Sequence, residues 1–304
     1  MNNLKKKGTI LIVSSVVAAL FIGCGSGSST PTFDYKGKAI DDYVKNAPIV
    51  TSEGRAISCG KTNEKGQFEC PVIAQNYPLK MDCSNPKANE CIDIATGKQF
   101  KGTFLAPAGS KVITPITTLV KIAKDKLGDL KKAEKVVKET LGLPEKIEIT
   151  KVDPIEANNN TLLSVQAKVA TVLKLASTAT NTSTEKIAEA IVEEAVKSKT
   201  TDLEEIADNI IDDNEVKDTL ETILDSIPTT LDRVTAGAIE LIVDKAIEEN
   251  KTDDLASNLS SQLDDAKAKV VSNLEDQNQT IQPQPNKPEQ PATGATGASG
   301  NSEE

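Results

Sequence analysis

Five cysteines carry the most distinctive chemistry in this chain, and no histidine stands beside them. Four of them, Cys59, Cys70, Cys83 and Cys91, fall within one short stretch. An even number of closely spaced thiols reads as a disulfide framework if the chain is exported. Four cysteines allow three pairings. Cys59–Cys70 and Cys83–Cys91 are the expected pairs, because each flanks a turn-rich segment. A four-cysteine zinc site is the competing chemistry, but the spacings contain no CxxC pair. Neither a metal nor thiol redox catalysis is therefore expected.

The missing histidine removes the commonest general acid or base at neutral pH. It also removes Ser-His and Cys-His activation of a nucleophile. Carboxylate or lysine chemistry is what remains. The densest acidic cluster is Asp208, Asp212, Asp213 and Glu215. Asp208 and Asp212, four apart, would share a helix face, but no Asp-x-Asp-x-Asp-Gly calcium loop surrounds them. A solvated acidic face is the expectation. Asp41-Asp42, Asp253-Asp254 and Asp264-Asp265 are adjacent pairs, and neighbours on a helix point in different directions. No P-loop, dinucleotide fingerprint or GxSxG elbow is present. The expectation is therefore no catalytic residue and no cofactor.

Cys24 has different surroundings. Lys5, Lys6 and Lys7 precede an apolar run from Thr9 to Ile22, which is broken only by Ser14 and Ser15. Such a run is shorter than the ~20 residues of a membrane-spanning helix and suits the apolar region of a signal peptide. It ends in Phe21-Ile22-Gly23-Cys24, which resembles the lipobox of bacterial lipoproteins. The resemblance implies cleavage before Cys24 and lipid on its thiol. Residues 1–23 are then a signal peptide. Residues 24–32 are a lipidated tether whose Gly25–Pro31 reads GSGSSTP, a flexible polar spacer. Gly25 is not the aspartate associated with inner-membrane retention, so the outer membrane is the expected destination, on its periplasmic or its surface face.

The formal net charge is −10. Nucleic acid is not an expected partner, because phosphate binding needs a basic face. Broad electrostatic adsorption to anionic lipid is disfavoured too, which leaves the membrane contact to the lipid on Cys24. Aromatic residues make up only 3% of the chain, which argues against a stacking platform for sugars.

The elements that would carry these residues divide into two kinds. Residues 33–110 read as short strands separated by turns. Ala56–Cys59 and Gln67–Cys70 flank the turn Lys61–Gly66, a hairpin pattern that would put Cys59 and Cys70 on facing arms. Residues 111–276 read as seven or eight short amphipathic helices. Thr114-Pro115 is an N-cap followed by proline at the first helical position. Asp129 is a second cap, and Asn158–Thr161 forms a loop and cap. Thr182 with Glu185 and Thr201 with Glu204 have the capping-box spacing. Leu231–Glu249 is the most apolar stretch. Residues 277–304, rich in Gln and Pro and then in Gly, Ala, Ser and Thr, are expected to be disordered. The expected fold class is α+β: a small disulfide-stapled antiparallel β-sandwich followed by a multi-helix bundle.

Three segments, in order, resemble a class of bacterial surface and periplasmic proteins. They are Ile40-Asp-Asp-Tyr-Val-Lys-Asn-Ala-Pro-Ile-Val50, Thr62-Asn-Glu-Lys-Gly-Gln-Phe68 and Ile113-Thr-Pro-Ile-Thr-Thr-Leu-Val120. In that class a prealbumin-like (carboxypeptidase-regulatory-like) β-sandwich leads through a TPLTTL segment into helices. The likeness spans roughly residues 36 to 180. Thr51–Cys59 lacks the acidic series with which some members could hold calcium, so calcium is not carried over. The resemblance implies a structural or adhesive role with a protein or glycan partner. The leading expectation is a non-enzymatic, membrane-anchored envelope lipoprotein acting as a scaffold or adhesion/interaction module. A periplasmic accessory protein carrying a small apolar ligand, in a pocket lined from Leu231 to Ile247, is second. A carboxylate-type hydrolase is third.

Overall fold

The computed structural model describes residues 33–279, apart from 86, 88–89, 199–201, 212–213, 250 and 253–254. The expected signal peptide, Cys24 and the expected tether lie outside the described residues, as do most of the expected C-terminal tail and the pair Asp253-Asp254.

The fold is α+β, with strands preceding helices. One sheet has the order β5-β1-β9, formed by β1 (Phe33–Ala39), β5 (Gln67–Pro71) and β9 (Val112–Ile113). β1 runs antiparallel to β5 and parallel to β9. The other main sheet is antiparallel and has the order β4-β3-β6-β8. Its strands are β3 (Pro48–Thr51), β4 (Ser58–Lys61), β6 (Leu79–Asp82) and β8 (Thr103–Ala106). A two-stranded ribbon pairs β2 (Val44–Lys45) with β7 (Ile92–Asp93). The alternation of β3, with Ile49 and Thr51 inward, is what a strand with one covered face requires. Both expected disulfides are present, Cys59–Cys70 and Cys83–Cys91.

The Ala56–Cys70 segment differs from a hairpin. β4 pairs with β3, and β5 pairs with β1, so the two arms belong to different sheets. The turn survives as a corner: Asn63 N–H donates to Gln67 O at 3.1 Å, and Gly66 N–H donates to Asn63 O at 2.9 Å. Gly66 has φ +65°, and a Cβ there would sit 2.5 Å from the Ala39 carbonyl oxygen, so glycine is required. Cys59–Cys70 therefore staples one sheet to the other across a Cα–Cα distance of 4.4 Å.

Among the described residues eight helices follow. They are α1 (Pro115–Leu127), α2 (Leu130–Thr140), α3 (Asn160–Thr180), α4 (Thr184–Ser198), α5 (Leu203–Ile210), α6 (Asn214–Ser226), α7 (Arg233–Glu249) and α8 (Leu255–Asp276). Thr114 caps α1 in a reciprocal box with Thr117. Asp129 caps α2, and Asn159 caps α3. The next two caps fall one residue later than the sequence pattern suggests. Lys186 N–H donates to Ser183 Oγ at 3.4 Å, and Glu204 N–H donates to Asp202 Oδ1 at 2.9 Å. Ser183 and Asp202 compete with the preceding threonines as better N-caps.

The TPITT segment also fastens helix to sheet. Thr117 Oγ1 donates to Leu105 O at 2.8 Å, and Leu105 N–H donates to Thr118 Oγ1 at 2.9 Å. Buried apolar side chains run without interruption from Tyr35 in β1 to Leu274 in α8. The strands and helices thus share one core. No helix among the described residues is long and apolar enough to cross a membrane.

Candidate functional site

The most unusual chemistry lies where the turn after β1 meets α3 and α7. Asp41 and Asp42 occupy that turn, and the flanking bridge Ile40–Tyr43 holds it closed. Both carboxylates are turned inward. A tight turn projects successive side chains at separate partners, and here the partners are cations on two helices.

Asp42 accepts two hydrogen bonds from Arg233 at the start of α7, Nε to Oδ2 at 2.7 Å and Nη2 to Oδ1 at 2.5 Å. Asp41 lies 3.7 Å from Lys174 of α3. Lys174 Nζ donates to Glu240 Oε1 at 2.5 Å and to Asp244 Oδ1 at 3.1 Å, both on α7. Asp93, in β7, accepts from Thr96 N–H at 2.7 Å and from Asp42 N–H at 3.2 Å. Gln166 Nε2 of α3 donates a hydrogen bond to Asp41 O at 2.7 Å. Tyr43 extends the cluster: the Arg233 guanidinium lies 4.7 Å from its ring centroid, and its hydroxyl donates to Asp153 Oδ2 at 2.9 Å.

The electrostatics follow from burial. Five carboxyl groups, Asp41, Asp42, Asp93, Glu240 and Asp244, surround the two cations Lys174 and Arg233. Burial, followed by the Glu240 charge, holds the Asp41 carboxyl well above the usual range. Asp93 is raised by burial and then by Glu240 and Asp42. Burial also raises Glu240, against the pull of Lys174. For Lys174 burial favours the neutral amine, but the charges of Glu240, Asp244 and Asp41 outweigh it and raise its pKa. Arg233 behaves likewise, with Asp42 overcoming the burial cost. Asp41 Oδ2 is buried and accepts no hydrogen bond. The raised pKa favours a proton on Asp41, and a hydrogen bond between the Asp41 and Glu240 carboxyls is among its causes.

Two spaces adjoin the cluster. The inner one, beside Asp41, Lys174, Arg233 and Glu240, is a cavity of about 30 Å³. That is room for about two water molecules. The outer one is an open pocket of about 250 Å³, reached by Asp93, Lys98, Lys101, Lys174, Glu240 and Asp244. At its edge Lys98 pairs with Glu248 at 2.9 Å. A carboxylate site for glycoside hydrolysis needs one acid and one base presented to a substrate. Here Asp42 is directed at Arg233, Glu240 and Asp244 at Lys174, and Asp93 at backbone N–H groups.

Cys59, Cys70, Cys83 and Cys91 are consumed in the two bridges. Asp208 lies half-buried on α5, while Asp212 and Asp213 fall outside the described residues. Asp264 and Asp265 are exposed on α8. Among the described residues no group of three or more Cys, Asp or Glu side chains is placed to hold a metal ion. The apolar side chains of α7 that would have lined a carrier pocket, including Val234, Ala238, Ile242 and Val243, are buried in the common core.

Sequence reasoning missed Lys174, Arg233, Glu240 and Asp93. A signal for two of them was available: Lys174 sits between Leu173 and Leu175, and Glu240 between Ile239 and Leu241. A charge within an apolar helix stripe needs a partner.

Comparison with protein-family models, with curated proteins and with solved structures finds no match to this chain.

Proposed function

We propose that this protein is a non-enzymatic, membrane-anchored envelope lipoprotein whose folded region serves as a scaffold or adhesion/interaction module. The observation that carries the reading is the buried ionic lock between the β1–β2 turn and helices α3 and α7. Most of its charges are spent on one another or on backbone amides, and the enclosed space beside Asp41, Lys174, Arg233 and Glu240 fits only water. Such a lock welds strands and helices into one rigid body, which suits a protein that presents a surface rather than one that opens for a substrate. Buried ion pairs contribute little net stability compared with apolar packing, and fixing one geometry is a recognised use for them.

The anchor half of the proposal rests on Cys24 and the residues before it. The resemblance to prealbumin-like surface proteins adds support for a protein or glycan partner, with the outer membrane as the location. The small inner cavity favours this reading over carriage of an apolar ligand.

Two measurements test it. Metabolic labelling with an alkyne fatty acid is expected to tag the wild-type chain and not Cys24→Ala; an untagged wild type removes the anchor. Hydrolase assays on glycan and peptide ester libraries are expected to show no turnover. Turnover abolished by Glu240→Gln or Asp93→Asn, with circular dichroism unchanged, would overturn the scaffold reading in favour of a carboxylate enzyme.

A further inference from the structure

Four large apolar side chains stand exposed among the described residues: Phe33, Val72, Ile73 and Val196. Three of them lie at one end of the β-region. Phe33, the first residue of β1, is paired with Pro71 at the end of β5, and Val72 and Ile73 follow Pro71 directly in a 3₁₀ turn. Their relative exposures are 50%, 37% and 43%, far above those of the core residues in the same strands. Phe33 also opens onto a groove of about 780 Å³. Five lysines line it against three carboxylates. Lys36 pairs with Glu69, Lys38 with Asp153 and Glu156, and Lys151 with Glu148, while Lys61 and Lys111 carry no ion pair among the described residues. On a chain of formal net charge −10, this is a locally cationic surface.

We propose that this end of the β-region rests on the anionic phospholipid surface of the membrane to which the chain is anchored, with Phe33, Val72 and Ile73 dipping into the headgroup boundary. The proposal depends on lipid being carried by Cys24. Covalent reach supplies the argument for the occupant. Positions 24 and 33 are nine apart in the sequence. Nine residues span at most about 30 Å in any conformation, and a Gly/Ser-rich linker of that length averages about 15–18 Å. A folded body of about 250 residues has a radius of gyration of about 18 Å. The tether's average span is thus no longer than that radius, so the Phe33 end is the face held nearest the bilayer. Exposed apolar side chains beside a lysine-lined groove are a composition that anionic interfaces select. Overall acidity, which opposes broad adsorption, reinforces this orientation by pushing the other faces away.

The chain contains no tryptophan, so a single reporter can be installed. The lipidated protein carrying Phe33→Trp, extracted from membranes, is reconstituted into phosphatidylcholine/phosphatidylglycerol vesicles containing brominated acyl chains. The expected result is emission shifted to shorter wavelength and quenched by bromine. The matching Val196→Trp protein should stay aqueous and unquenched. Adding Ile73→Asp to the Phe33→Trp protein should lose the quenching. Protein that floats with the vesicles but gives equal, aqueous spectra from positions 33 and 196 overturns the patch and leaves the anchor standing. Protein that fails to float overturns the anchor. Coupling the Cys24 thiol of that material to a maleimide lipid then lets the same spectra decide the patch.

Discussion

Arg233 grips Asp42 with two parallel hydrogen bonds across 191 residues of sequence, and both side chains are nearly inaccessible to water. Removing one partner leaves the other charged and buried, which costs about 3–5 kcal/mol. Arg233→Met and Asp42→Leu are each expected to lose that much in urea unfolding. The double variant should recover a large part of the loss, because two apolar side chains need no partner. Single and double variants that lose equal amounts would mean the pair contributes directly to stability rather than to geometry.

The carboxyl cluster gives stability an unusual pH dependence. Asp41, Asp93 and Glu240 are all raised in the folded state, burial being the largest cause for each. A raised acid binds its proton more tightly folded than unfolded. Its contribution is complete below the ordinary carboxylate range, near pH 4, and is lost as pH climbs through the folded value. Lys174, also raised, loses its contribution only above the ordinary lysine range. The exposed acids Glu64, Glu148 and Glu249 are lowered by hydrogen bonds from Lys45, Lys151 and Lys251, so their effect has the opposite sign and fades as pH falls through 4. Urea midpoints are therefore expected to peak at mildly acidic pH and decline toward pH 8. Asp41→Asn, which keeps a donor for Glu240, should flatten the decline. Identical slopes for the two proteins would contradict the assignment.

What was legible in the sequence was local. Thr114, Asp129 and the Asn158–Thr161 loop announce helix starts because a cap acts within one turn. The caps at Ser183 and Asp202 were misplaced because two suitable residues stand side by side in each case, and tertiary packing chooses between them. The two disulfides were readable because each closes a short loop. That β4 and β5 part into different sheets was not readable, since the competing partners β3 and β1 lie earlier in the chain and spacing carries no sign of them. The buried cluster was hidden for a related reason. Asp41 and Asp42 look like any polar turn, and only the arrival of Lys174 and Arg233 from distant helices turns them into a site.

The two disulfides should differ in consequence though not much in energy. Their loops are 11 and 8 residues long, and loop-closure entropy then assigns about 2.5–3 kcal/mol to each. Cys59→Ala/Cys70→Ala and Cys83→Ala/Cys91→Ala are both expected to lower stability by that amount. Only the first pair joins the two sheets. Hydrogen exchange should therefore quicken across β4, the 62–66 corner and β5 in the first variant, and remain confined to the 83–91 loop in the second. Uniform acceleration in both would mean that the sheets do not rely on the Cys59–Cys70 staple.

Gly237 tests how tightly α7 is seated against its neighbours. In an exposed helix interior, Gly→Ala gains about 1 kcal/mol. Here a Cβ on Gly237 would lie 2.8 Å from Ala95 Cβ, in the turn after β7, and 3.3 Å from Val270 Cγ1 on α8. Overpacking of that kind costs about 1–3 kcal/mol, so the two effects oppose and the clash should win. Gly237→Ala is expected to lower stability by about 1 kcal/mol in urea unfolding. Adding Ala95→Gly removes the nearest atom and should restore part of the loss, a coupling that independent sites would not display. If Gly237→Ala instead raised stability, helix propensity would have prevailed, and α7 would have slack toward the β7 turn, the element that brings Asp93 to the cluster.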